Sequence, residues 1–278
     1  MVYLPPLPEL CFAEIPATSR HRYVGDRFCY MEAGRADLPT VLLLHGIGAN
    51  SLHWRYQLAG LADRFRLIAW NAPGYLLSDN LRVETPSCGD YADALNDLLA
   101  TLGIGGFDIV ANSFGTRVAH CFAYHQPARI RRAVFTGTSV PHGTPPEERA
   151  RTVEVRARMI ERGAYGFGDR ATALLNSAAS ADTLALVQQT LRATNPAGFM
   201  QAARFIAKTE MPPLGAGLTM PLLMIQGEED RVAPTATNAE LLAAALPHAR
   251  LVMLAGCGHL PEVELPSCVN DLIAAHLS

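Results

Sequence analysis

The chain has 278 residues, 49% of them apolar and 18% charged, with a formal net charge of −3. That length buries a sizeable core as one large domain or two modest ones. No Lys/Arg run or basic stripe occurs, which argues against nucleic acid and anionic membrane surfaces as partners.

The N-terminus, "MVYLPPLPELCFAEIP", carries four prolines and acidic residues where a secretory leader has a basic flank and an apolar run. The longest apolar stretches fall short of a membrane span. The six cysteines (Cys11, Cys29, Cys88, Cys121, Cys257, Cys268) include no Cys-x-x-Cys pair. Such scatter argues against a metal site or a disulfide framework and suits a reducing compartment. The expectation is a cytoplasmic protein.

Strand-like and helix-like runs then alternate. "PTVLLLHG" (39–46) is near-continuously apolar and ends in glycine, as a strand buried on both faces requires. A helical pattern over 51–64 follows, then a strand and turn over 65–74. "CGDYADALNDLLATLG" (88–103) places Tyr91, Leu95, Leu98, Leu99 and Leu102 along one helical stripe and stops at glycine. "FDIVANS" reads as a strand, "FGTRVAHCFAYH" as a helix and "RAVFTGT" (132–138) as a strand.

From Ser139 to about Pro213 the pattern is helical only. One helix is predicted to open with a capping box from Thr144 to Glu147, and another with Asn195 as N-cap and Pro196 following. Alternation resumes at "PLLMIQG" (221–227), then "TNAELLAAALP", "ARLVMLAG" (249–256) and a last helix from about Glu262. The pattern predicts an α/β protein with a mostly parallel central sheet flanked by helices. Residues 1–138 and 214–278 form its core domain, and 139–213 an inserted all-helical lid over the strand ends, where such sheets bind ligands.

Ser113, in "VANSFGTRVA" (110–119), sits where a strand gives way to a helix. A serine nucleophile needs a base, an acid that orients the base, and donors for an oxyanion. In a parallel sheet each belongs on a loop past a strand's C-terminal end. Asp230 is the third residue past Gly227, and His259 the third past Gly256. "HGIGAN" after the first strand is a glycine-bearing turn with backbone N–H groups to spare. The chain order is Ser113, Asp230, His259, as in nucleophile-elbow enzymes.

With "LLLHGIG", "IAWNAPGYLLSD", "ANSFG", "GEEDRVAP" and "AGCGHLPEVELP" in register, the sequence resembles the α/β-hydrolase superfamily from about Phe28 to the C-terminus. The resemblance implies Ser113 as nucleophile, His259 as general base and then acid, and Asp230 as its orienting partner. It implies an oxyanion hole from the backbone N–H groups of Ile47 and Phe114. Gly46, Phe199, Met200 and Leu260 are candidate substrate contacts, although Phe199, Met200 and Phe205 also suit a lid core.

Departures from the family pattern are Ala111 at the first elbow position, Thr116 after Gly115, Asn71 for aspartate and Leu76 for glycine. A serine nucleophile argues against haloalkane dehalogenase and epoxide hydrolase chemistry. His45 and Cys257 read as structural. Arg117, on the elbow helix, suits either a structural ion pair or a substrate carboxylate.

The lid is similar to those of 3-oxoadipate enol-lactonases and related esterases, and the elbow to those of meta-cleavage C–C hydrolases. These likenesses imply hydrolysis of a small to medium, partly apolar ester or lactone through an acyl-enzyme. The alternatives are C–C hydrolysis of a vinylogous diketone, a ligand-binding protein with little turnover and, more remotely, a cofactor-free oxygenase. Neither metal nor organic cofactor is implied, and oligomeric state is not legible.

Overall fold

The near-continuous apolar runs become strands because a position covered on both faces can bury every side chain. The computed structural model describes residues 4–141 and 145–278. Its strands are β1 (Leu10–Glu14), β2 (Arg27–Ala33), β3 (Thr40–Leu44), β4 (Arg66–Trp70), β5 (Phe107–Asn112), β6 (Ile130–Thr136), β7 (Leu222–Gly227) and β8 (Arg250–Leu254). They form one eight-stranded sheet in the order β1-β2-β4-β3-β5-β6-β7-β8. β2 runs antiparallel to both neighbours, and the pairs from β4 through β8 are parallel.

Alternate residues of each strand feed two cores. Leu42 and Leu44 join one face with Tyr91, Leu95 and Phe122 from α2 (Cys88–Thr101) and α3 (Phe114–His125), which follow α1 (Arg55–Gly60) in the chain. Val41 and Leu43 join the other face with Leu58 of α1 and Ile273 from near the C-terminus. All six residues of β5 are buried, whereas the edge strand β8 is only half covered. Thus the stretch carrying Ser113 leaves a fully buried strand, as does the loop of Asp230 after β7.

Between β6 and β7 the described residues form helices only: α4 (Pro146–Glu161), α5 (Gly163–Gly168), α6 (Ala171–Leu174), α7 (Ala181–Arg192) and α8 (Pro196–Lys208). After β7 come α9 (Ala239–Ala245), α10 (Pro261–Glu264) and α11 (Pro266–Leu277). Asn195 caps α8 by accepting from Ala197 N–H at 2.9 Å, with Pro196 in the first turn. The capping box expected for α4 rests on Thr144, outside the described residues; the helix starts at Pro146 behind Pro145.

Several expectations are corrected. β1 and β2 were not predicted: β1 is short and mostly uncovered, and β2 mixes Arg27, Tyr30 and Glu32 into its apolar positions. The 51–64 helix is a 3-10 turn over Ser51–Trp54 followed by the short α1. The last helix is divided into α10 and α11 by Pro266, whose missing N–H cannot continue the ladder.

Cys88 and Cys121 form a disulfide, with Cα atoms 5.3 Å apart. That differs from the expectation of unpaired thiols. The packing of α2 on α3 makes the pair, across a sequence separation of 33 that no spacing rule flags. Among the described residues no helix is long and apolar enough to cross a membrane.

Candidate active site

The turn from β5 into α3 is tight enough to force Ser113 to φ 51°, ψ −112°, a region L-residues rarely adopt. Such strain persists only where surroundings impose it. Gly115 is required two residues on, because a Cβ there would run into the carbonyl oxygen of Leu44. Ala111, in place of the family's glycine, is accommodated as a buried strand residue opposite Leu44 and Phe135. Leu76, the other departure from glycine, holds φ 49°.

The loop after β7 builds around Asp230. Its Oδ1 accepts from Val232 N–H at 2.9 Å and Ala233 N–H at 2.8 Å. Its Oδ2 accepts from Gln226 Nε2 at 2.6 Å and from His259 Nδ1 at 2.7 Å. Burial pushes this carboxyl up, but the His259 imidazole, its hydrogen bond and the two backbone donors outweigh that and hold it below the usual carboxylate range. Asp230 is therefore an anion that fixes the His259 proton on Nδ1 and leaves Nε2 as the acceptor.

The loop after β8 is held as firmly. His259 N–H donates to Leu174 O at 2.8 Å, and Glu264 Oε1 accepts from the N–H groups of Gly258 (2.9 Å) and Leu260 (3.2 Å). Asn112 Nδ2 donates to His259 O at 3.2 Å, tying that loop to the residue before Ser113. Gln226, Asn112 and Glu264 were not singled out from the sequence; their roles depend on chain segments far apart.

Ser113, His259, Gly46, Ile47 and Leu260 line one cavity of about 370 Å³ at the C-terminal ends of the strands. Among the described residues Ser113 Oγ makes no hydrogen bond. Ile47 N–H also has no hydrogen-bond partner among the described residues, and Phe114 N–H, as the first of α3, has none within the helix. A Cβ on Gly46 would lie 2.5 Å from Asn112 Oδ1 and 3.3 Å from Ser113 Cβ, so only glycine lets this loop approach the elbow.

His45 sits beneath the loop. Ala72 N–H donates to its Nε2 at 3.1 Å and its Nδ1–H donates to Gly46 O at 2.9 Å. Burial lowers its pKa to about 3, so it is a neutral turn-holder. Cys257 is fully buried and its thiol is pushed up by burial, then by Glu264, which makes it unreactive.

Two expected contacts are placed elsewhere. The Phe199 ring packs 4.9 Å from that of Phe167, and Met200 packs against the main core; neither lines the cavity. The amphipathic α8 turns these apolar residues inward to bury them. Arg117 makes no ion pair among the described residues; it donates to Ser139 Oγ and to the carbonyls of Ile206 and Val140. His53, also on the lining, donates from Nε2 to buried Glu262 Oε1 at 2.5 Å, a pair no motif announced.

Residues 39–217 match the family model described as alpha/beta hydrolase fold, and residues 200–278 one described as TAP-like protein. The chain belongs to the α/β-hydrolase family. It is similar to 2-hydroxy-6-oxononadienedioate/2-hydroxy-6-oxononatrienedioate hydrolase 2 of Pseudomonas putida, at 26% identity over 90% of this chain and 95% of that one. It is also similar to 3-oxoadipate enol-lactonase 2 of Acinetobacter baylyi, at 24% identity over 88% and 91%. A solved thermophilic esterase from Thermogutta terrifontis shares the fold, with a TM-score of 0.81 and 23% identity over 97% and 98% of the two chains.

Proposed function

We propose that the protein is a serine hydrolase of a small to medium, partly apolar carboxylic ester or lactone. The observation that carries the reading is the His259–Asp230 hydrogen bond of 2.7 Å beside a cavity that Ser113 also lines. Ser113 Oγ attacks the substrate carbonyl while His259 Nε2 takes its proton. The oxyanion accepts hydrogen bonds from Ile47 and Phe114 N–H, donors of a kind worth about 3–4 kcal/mol each. The alcohol leaves with the proton from His259, and a water activated by the same imidazole then releases the acid.

In this reading residues 1–138 and 214–278 are the catalytic core, and 139–213 the lid that closes the cavity. The test is Ser113→Ala, which removes p-nitrophenyl ester turnover by roughly 10³-fold or more and blocks labelling by a fluorophosphonate, with the fold intact by circular dichroism. Undiminished turnover in that variant rules the reading out.

A second reading, C–C hydrolysis, is supported by the likeness to the Pseudomonas putida hydrolase. Turnover of a vinylogous diketone with none of simple esters selects it.

A further inference from the structure

The cavity beside Ser113 is cationic on its helical side. Four guanidinium groups line it: Arg117 of α3, Arg149 and Arg156 of α4, and Arg170 just after α5. One carboxylate, the exposed Glu148, shares that lining. Among the described residues none of the four arginines is in an ion pair.

Their hydrogen bonding divides them. Arg117 is spent on three neutral oxygens, as above. Arg170 donates from Nη1 to Ile47 O at 3.3 Å and lies over the Phe199 ring at 5.6 Å. Arg149 and Arg156 differ: Nε of the first and Nη1 of the second are shut off from solvent with no partner among the described residues. A charged donor left in that state costs more than an unmade neutral bond. Arg149, Thr152 and Arg156 recur at three- and four-residue intervals, so one face of α4 turns them to the cavity together.

The charges also repel. Burial first, then Arg170, lowers the pKa of Arg156 to about 9, and burial lowers that of Arg117 to about 10. Guanidinium groups remain charged at neutral pH, so an unbalanced positive potential stands over the nucleophile.

We propose that Arg149 and Arg156 form an anion subsite, and that the substrate carries a carboxylate set apart from its scissile carbonyl. The two forks hold that carboxylate by charge-assisted hydrogen bonds while the carbonyl lies at Ser113. The inference rests on the serine-hydrolase reading for the placement of the scissile bond.

The test compares p-nitrophenyl monoesters of glutarate, adipate and suberate with their neutral methyl-capped counterparts at fixed ionic strength. A preference of about 10- to 100-fold in kcat/KM for the anionic ester is expected. The preference collapses to near unity in Arg149→Gln/Arg156→Gln and survives in large part in Arg156→Lys. Equal rates on charged and neutral esters, or a preference undiminished in the double variant, overturn the proposal. A terminal phosphonate of the same length is the second arm; its clear preference over the carboxylate overturns the carboxylate in favour of a phosphate-bearing substrate.

Calorimetric binding of adipate to Ser113→Ala protein separates this inference from the hydrolase reading. Heat that disappears in the arginine double variant supports the subsite even if no ester is turned over. Absence of heat, in protein whose melting shows it folded, overturns the subsite while leaving ester hydrolysis standing.

Discussion

The two walls of the cavity satisfy their polar groups in opposite ways. On the sheet side the Asp230 carboxylate accepts four hydrogen bonds, and the backbone around His259 is tied to Leu174, Asn112 and Glu264. On the helical side Arg149 and Arg156 each keep a buried donor with no acceptor among the described residues. The bonds around Asp230 and His259 are complete before substrate arrives, which holds those groups in position, whereas Arg149 and Arg156 have bonds left to make, which suits recognition. In the proposed reading this difference puts chemistry and selectivity on separate segments of the chain, function being carried by the site rather than by the fold.

The comparison breaks most visibly at Asp230. Asp230→Asn keeps the shape but loses the anion that fixes the imidazole tautomer, and kcat for ester hydrolysis is expected to fall on the order of 10³–10⁴-fold. A loss under tenfold, in protein with a wild-type melting curve, removes the sheet-side wall from the chemistry.

Next in size is the disulfide beneath that wall. Closing 33 residues between Cys88 and Cys121 restricts the unfolded chain, so the Cys88→Ala/Cys121→Ala variant loses roughly 4 kcal/mol in urea unfolding. Unchanged stability shows that the two thiols are not joined in solution.

His45 supplies a pH signature. Its folded pKa of about 3 lies below the ordinary 6.5, so the unfolded chain binds the proton more tightly. Its contribution is complete above 6.5 and declines as pH falls toward 3, by about 2 kcal/mol at pH 5. Urea titrations of wild type and His45→Gln at pH 7 and pH 5 check the sign: the variant is expected to lack that part of the acid sensitivity.

The smallest effect tests how the walls are joined. Thr194 Oγ1 donates to Gly48 O at 2.6 Å, linking the helical segment to the loop that carries Ile47. Thr194→Val leaves that carbonyl without its partner and costs about 1–2 kcal/mol. A ratio of anionic to neutral ester rates that stays constant in this variant sharpens the separation of the two walls.

Most of the parallel sheet was legible in the sequence because each of β3 to β8 holds a continuous apolar run: Val41–Leu44, Leu67–Trp70, Ile109–Ala111, Ala133–Phe135, Leu222–Ile225 and Leu251–Leu254. That Ser113, Asp230 and His259 would lie at one end of the sheet was legible because in a parallel sheet the residues just past strand ends converge, whatever their separation in the chain. Arg149 and Arg156 were not singled out from the sequence, since no local rule says which face a lid helix turns inward. Phe199 reads both as lid core and as a candidate substrate contact, and the structure buries it in the core.

The sequence by itself therefore determined the layered α/β order and the loops that bring a hydroxyl, an imidazole and a carboxylate to one end of the sheet. Both follow from periodicity and strand direction, which are local properties. Tertiary structure alone decided the Cys88–Cys121 bond, the Gln226, Asn112 and Glu264 supports, and the cationic face over Ser113. Each of those arises where segments distant in the chain pack together, and neither spacing nor composition records such an encounter.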